Sequence, residues 1–179
     1  KPVLCGLSMG GYIGLRALER MEEKFSAVIL CDTRADADGS EGKLKRAAAI
    51  KRINIEGLEP FAKDFVTNCF GDDYKQKHRD EFEKRIAKSS TFNSVGVKGS
   101  LLAMLGRNDT TEYLGKIKIP VLVICGDNDA LTPPPVMKSL TDKINGAEFV
   151  IIKNSGHMSP IENPIEVNEA IKKFLEKCY

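Results

Sequence analysis

Residues 3–14 read VLCGLSMGGYIG, a short apolar strand that passes through Gly6-Leu7-Ser8-Met9-Gly10 and straight into a helical pattern. A serine set between glycines at a strand-to-helix junction occupies a sharp turn at the rim of an open parallel sheet, with its hydroxyl facing outward. The pentapeptide alone occurs by chance in many chains. Its weight comes from the strand before it and from the helical spacing of Tyr12, Ile13, Leu15 and Leu18 after it. Crowding at such a turn is expected to demand the missing side chains of Gly6, Gly10 and Gly11.

A serine hydroxyl is a weak nucleophile at neutral pH, so a base must take its proton and a third group must orient that base. The chain has two histidines. His78 lies in the charge-dense stretch DDYKQKHRDEFEKR and reads as a residue on a solvated helix face. His157 follows the apolar run Glu148-Phe149-Val150-Ile151-Ile152, in the turn Asn154-Ser155-Gly156-His157-Met158. Strand ends of this kind are where open α/β sheets gather their chemistry. The orienting acid is expected at another strand end, between serine and histidine in chain order. The β-branched run 121–125 ends in Gly126-Asp127-Asn128-Asp129, so Asp127 and Asp129 compete, and spacing does not separate them. Asp32, closing the run 27–31, is a third candidate.

Four strands are predicted, at 3–5, 27–31, 121–125 and 148–152, with helices at 10–24, 134–143 and 164–177. Asn163 before Pro164 supplies a cap and a first-turn proline for the last helix. Between the second and third strands, residues 34–118 are far too long for a simple connection. They carry helical periodicity at 43–53, 58–69, 74–89 and 91–107. The expected fold class is α/β, a mostly parallel sheet with flanking helices built from residues 1–33 and 119–179 and interrupted by this helical insertion.

Formal charge is +2, with lysines interspersed among acids, which excludes the basic patch of a nucleic-acid binder. No apolar run approaches the ~20 residues that span a bilayer. Five irregularly spaced cysteines give no metal-binding spacing. Cys5, Cys31 and Cys125 fall on predicted buried strands, which favours a reducing, cytoplasmic setting and a core role for Cys5.

GLSMGGYIGL, VILCDTRAD, GDNDALTP and GHMSPIENP, in that order, resemble the α/β-hydrolase superfamily, in particular its small esterase, enol-lactonase and non-haem haloperoxidase-like branch. The resemblance covers nearly the whole chain. It implies that Ser8 is the nucleophile, His157 the base and Asp129 the acid. It also implies that Asp127 is a turn residue, that Asp32 closes the loop into the insertion, and that the Met9 backbone N–H is an oxyanion donor. The insertion is then a helical cap over the site. No metal or organic cofactor is implied, and the expected substrate is a small, largely apolar ester or lactone. Epoxide hydrolases and dehalogenases of this fold carry aspartate where Ser8 stands. Proline iminopeptidases usually carry tryptophan after the serine, where this chain has Met9 and no tryptophan at all. The alternatives are a hydrolase-fold protein that binds a ligand without turnover and a fragment that is inactive without its N-terminal portion.

The resemblance also implies that the first four strands and the second oxyanion donor precede Lys1, together with any signal peptide. The chain is therefore expected to be the C-terminal portion of a larger hydrolase. Its first strand would then expose an edge to an N-terminal fragment or a second copy. Loss of one oxyanion donor costs on the order of 100- to 1,000-fold in turnover, so the chain alone is expected to be a weak enzyme.

Overall fold

A computed structural model describes residues 1–179. Alternating β-branched and apolar residues form four parallel strands, β1 (Val3–Leu7), β2 (Ala27–Cys31), β3 (Val121–Gly126) and β4 (Glu148–Ile152), in spatial order β1-β2-β3-β4. Leu4 pairs with Val28, Val28 with Val121, and Leu122 with Glu148. β2 and β3 are buried along their whole length, so both of their faces must be covered by other elements.

The period-2 alternation divides the core into two layers. Val28, Leu30, Val121, Val123 and Cys125 face α1 (Met9–Met21) and α7 (Pro134–Thr141), meeting Leu15, Leu18, Met137 and Leu140. Ala27, Ile29, Cys31, Leu122 and Ile124 face α9 (Pro164–Cys178), meeting Val167 and Phe174. The Asn163 side chain accepts a hydrogen bond from Glu166 N, capping α9 as its sequence suggests.

Between β2 and β3 the chain forms α2 (Ser40–Glu56), α3 (Leu58–Cys69), α4 (Asp72–Lys77), α5 (Arg79–Ser90) and α6 (Ser94–Leu105). α3 packs on α5 and on α2, and α2 packs on α6. The helix expected over 74–89 is two helices that break at His78 (φ −122°, ψ 42°). The break turns the chain so that Tyr74 and Phe82 both reach Phe70, at ring-centroid distances of 5.0 and 5.8 Å. The first helix also ends early, its last turn tightening to 3-10 geometry over Glu22–Lys24. A four-residue helix, α8 (Ser159–Glu162), follows His157. No helix is long and apolar enough to cross a membrane.

β1 is an edge strand, and this corrects the expected burial of Cys5, which is exposed. Cys31 and Cys125, on the inner strands, are buried as expected.

Candidate active site

Ser8 lies between the end of β1 and the start of α1 with φ 52° and ψ −115°, a backbone conformation that side chains rarely adopt. Its surroundings hold it there. Ser8 N–H donates to Cys31 O at 2.9 Å, while Ser8 O accepts from Gly11 N–H at 2.9 Å and from Thr33 Oγ1 at 2.7 Å. A Cβ on Gly6 would lie 2.5 Å from Gly10 O, and one on Gly11 would collide with the Thr33 side chain. Gly10 differs from the expectation, because a Cβ there meets nothing within 4 Å. Of the three glycines, two are set by close approach.

His157 Nε2 is 2.7 Å from Ser8 Oγ, and His157 Nδ1 is 2.9 Å from Asp129 Oδ2. His157 and Asp129 are each 3% exposed, so this chain of hydrogen bonds is shielded from water except at the serine. Asp129 Oδ1 accepts from the N–H groups of Leu131 and Thr132, at 2.8 and 2.9 Å, and Oδ2 also accepts from Thr132 Oγ1 at 2.6 Å. Burial opposes its charge, yet the hydrogen bonds from His157 and Thr132 hold its carboxyl below the usual carboxylate range. An ionised carboxylate only accepts, so Nδ1 carries the imidazole proton and Nε2 is left to accept from the Ser8 hydroxyl.

The other candidates are placed elsewhere. Asp127 fastens two loops, its Oδ1 accepting from Ser155 N–H at 3.1 Å and from Asn128 Nδ2 at 2.8 Å. His78 is exposed and stacks on Tyr74 with ring centroids 4.8 Å apart.

Asp32 is the residue whose role sequence reasoning missed. It does not close the loop into the helical segment. Fully buried at φ 45°, it ties together the two loops that carry the acid and the base. Its Oδ1 accepts from Gly126 N–H at 2.9 Å, three residues before Asp129. Its Oδ2 accepts from Ser159 N–H at 3.2 Å and from Ser159 Oγ, two residues after His157. Burial pushes this carboxyl up to about 7, against the hydrogen bonds that favour its charged form. The position of an aspartate closing a buried strand was the available signal; its partners are set by tertiary packing.

Asp32, Cys125 and Asp129 bring donor atoms within 4.8 Å of one another, the one grouping with the makings of a metal site. Each is already engaged, the two carboxylates as described and the Cys125 thiol with Gly126 O and Thr132 O. The donor set therefore suits a hydrogen-bonded cluster better than a cation.

Ser8 and His157 open onto a cavity of about 880 Å³. Its walls come from the helical segment, with Phe61 and Phe65 of α3, residues of α5, Phe92, and Leu101 of α6. His157 N–H donates to Cys69 O at the end of α3, so the same segment also holds the imidazole's backbone. A second cavity of about 780 Å³ runs between α1 and α6; Met9, Ser100 and Met104 border both cavities, but neither Ser8 nor His157 lines this one.

Comparison with known proteins agrees with this architecture. 3-oxoadipate enol-lactonase 2 of Acinetobacter baylyi is 27% identical over 173 residues, covering 97% of this chain and 63% of the lactonase. A proline iminopeptidase of Lactobacillus acidophilus is 36% identical over 193 residues, covering 97% of this chain and 65% of the peptidase. Among solved structures, a thermophilic esterase from Thermogutta terrifontis superposes with a TM-score of 0.93 at 33% identity, over 98% of this chain and 65% of the esterase. The chain thus spans slightly under two thirds of the length of these relatives. With residues 1–164 matching the model of the alpha/beta hydrolase fold, the chain belongs to that family.

Proposed function

We propose that this protein hydrolyses small, largely apolar carboxylic esters or lactones by transferring the acyl group to Ser8. The observation that carries the reading is the unbroken hydrogen-bond chain from Asp129 through His157 to Ser8 Oγ, opening onto the apolar cavity.

In the first step Ser8 Oγ attacks the substrate carbonyl carbon while its proton passes to His157 Nε2. Asp129 stabilises the imidazolium and keeps Nδ1 protonated throughout. Negative charge gathers on the former carbonyl oxygen. The Met9 N–H, in the first turn of α1 where main-chain donors have no partner inside the helix, serves in this reading as the donor that receives it. Collapse of this intermediate breaks the bond to the alcohol, which takes the proton from Nε2. Water then repeats the sequence in reverse roles and frees the acid. Residues 34–118 serve in this reading as a cap that surrounds the acyl and alcohol groups with apolar walls. That favours the chemical step by keeping the attacking hydroxyl and its base out of bulk water.

The iminopeptidase relative raises peptide hydrolysis as a competing activity. An unblocked N-terminal ammonium needs an acidic receptor, and the one acid lining this cavity, Glu81, stands among three cations, Lys84, Arg85 and Lys88. Esters and lactones are thus the better match. The test is turnover of p-nitrophenyl butyrate, a δ-lactone and proline p-nitroanilide by the purified protein and its Ser8→Ala variant. The expected result is Ser8-dependent hydrolysis of the first two and none of the third. Failure of the protein to turn over any ester or lactone would overturn the reading.

A further inference from the structure

α3, whose Phe61 and Phe65 wall the cavity above Ser8, ends at Cys69, and there the helical segment meets the loop that carries His157. Two hydrogen bonds cross that junction in opposite directions. His157 N–H donates to Cys69 O at 2.9 Å, and Gly71 N–H donates to Glu162 Oε2 at 2.8 Å. The other oxygen of the same carboxyl, Oε1, accepts at 3.0 Å from the N–H of Met158, the residue after the base. The two backbones lie in direct contact, since a Cβ on Gly156 would stand 2.5 Å from Gly71 N. Met158 and Ile161 complete the junction by packing on the cluster around Phe70, Tyr74 and Phe82.

An ionised carboxylate only accepts, and its two oxygens can satisfy two N–H groups that reach it from different segments. Glu162 does this between the helical segment and the base loop, closing a ring through Gly71, Phe70, Cys69, His157 and Met158. The base is thus fixed at its imidazole by Asp129 and at its main chain by this ring. We infer that Glu162 is a positioning residue for the base: it clasps the walls of the cavity to His157, so that the imidazole reaches Ser8 Oγ only while the helical segment is seated. The inference rests on the proposed hydrolase reading and extends it, because the segment then aligns the proton-transfer groups as well as surrounding the acyl chain. Such alignment matters, since a misplacement of about 1 Å that originates far from the reacting atoms can cost about 100-fold in rate.

Glu162→Gln tests this, because the amide keeps one accepting oxygen and must turn its nitrogen, a donor, toward either Gly71 N–H or Met158 N–H. Amide hydrogen exchange followed by NMR reads the clasp without any substrate. His157 N–H is the informative group, since its own partner is Cys69 O and not the altered side chain. Its protection should fall together with that of Gly71, by about tenfold or more, the worth of a hydrogen bond to a charged group. In hydrolysis of p-nitrophenyl butyrate, kcat and kcat/KM should fall together by about 10- to 100-fold, as for an interaction that serves the transition state. Glu166→Gln is the control. Its carboxyl also holds this loop, accepting from Lys153 N–H at 3.1 Å and from Asn163 Nδ2 at 2.9 Å, partners that lie outside the helical segment, so turnover and His157 protection should both stay unchanged. A folded Glu162→Gln protein that keeps either its His157 protection or its full turnover overturns the inference, and so does an equal loss of turnover in Glu166→Gln. Should Glu162→Gln not fold, the unaltered protein answers: Gly71 and His157 must exchange through one common opening as denaturant is raised, and separate openings overturn the inference. If the unaltered protein turns over no ester, the hydrolase reading falls, while exchange at His157 still decides whether the clasp exists.

Discussion

Replacing Asp129 by asparagine isolates the part of the site that, in the proposed mechanism, makes His157 a base. In the native arrangement Oδ1 accepts two main-chain N–H groups, from Leu131 and Thr132, and Oδ2 accepts from Thr132 Oγ1 and His157 Nδ1. Asparagine keeps its carbonyl oxygen on the two N–H groups, because its amide nitrogen cannot accept from them. That nitrogen therefore faces the imidazole and donates to Nδ1. The ring must then carry its proton on Nε2, the atom 2.7 Å from Ser8 Oγ, and a protonated Nε2 cannot take the serine's proton. A wrong-tautomer lesion of this kind costs about 10⁴ in kcat in the serine-protease precedent. That corresponds to about 5.5 kcal/mol of transition-state stabilisation at about 1.36 kcal/mol per decade. Because the lowered carboxyl pKa makes the ionised group the one the fold prefers, the neutral replacement also lowers stability, by about 1–3 kcal/mol. For a chain of this size that is about 2–4 °C in Tm per kcal/mol. The assay is initial-rate hydrolysis of p-nitrophenyl butyrate well below the variant's Tm, alongside Asp127→Asn, whose carboxyl touches Ser155 and Asn128 and not the imidazole. Folded Asp129→Asn protein retaining activity within about tenfold of the unaltered protein, a difference of only about 1.4 kcal/mol, would refute the reasoning.

Three further expectations test the scaffold. Gly126→Ala would drive a Cβ into the carbonyl oxygens of Ser155 and Gly156, so thermal unfolding should show a loss of at least about 1–3 kcal/mol, and an unchanged Tm would contradict the close approach. The Asp32 carboxyl is raised from 3.8 to about 7, so the native state holds that proton longer than the unfolded chain does. Stability should therefore fall as pH rises from about 4 to about 7, and Asp32→Asn, which cannot ionise, should flatten the Tm-against-pH curve across that window. An identical slope in both proteins would show that Asp32 titrates elsewhere. The Cys31 thiol beside it draws the exposed Cys5 down to about 7, so iodoacetamide near neutral pH should alkylate Cys5 first among the five cysteines; faster labelling of Cys178 would contradict this.

The sheet was legible in the sequence because its strands are continuous apolar runs. All four were expected within two residues of where they lie, and β2 and β4 match at both ends. Ser8, Asp129 and His157 were legible for a related reason, since each follows such a run at the rim where strands end. Choosing Asp129 over Asp127 was beyond spacing and rested on resemblance. Geometry now separates the two, with one carboxylate on the imidazole and the other on a loop amide. What local pattern hid is what depends on neighbours in space. The exposure of Cys5 follows from β1 lying at the sheet edge, which the resemblance led one to expect but which the apolar run around Cys5 does not itself announce. The break at His78 interrupts a stretch whose charge pattern reads as one helix, because Tyr74 and Phe82 converge on Phe70 from separate segments. The bridging role of Asp32 spans 94 residues to Gly126 and 127 to Ser159, distances over which no periodicity carries information.

The most direct measurement is rapid-quench mass spectrometry of the protein during turnover of a slowly deacylated ester, with peptide mapping of the adduct. The account predicts that the mass of the acyl group, less one water relative to the free acid, appears on Ser8 and is absent when His157 is replaced by asparagine. Turnover without any adduct on Ser8, in a protein whose Ser8→Ala variant hydrolyses the same ester at an undiminished rate, would contradict it.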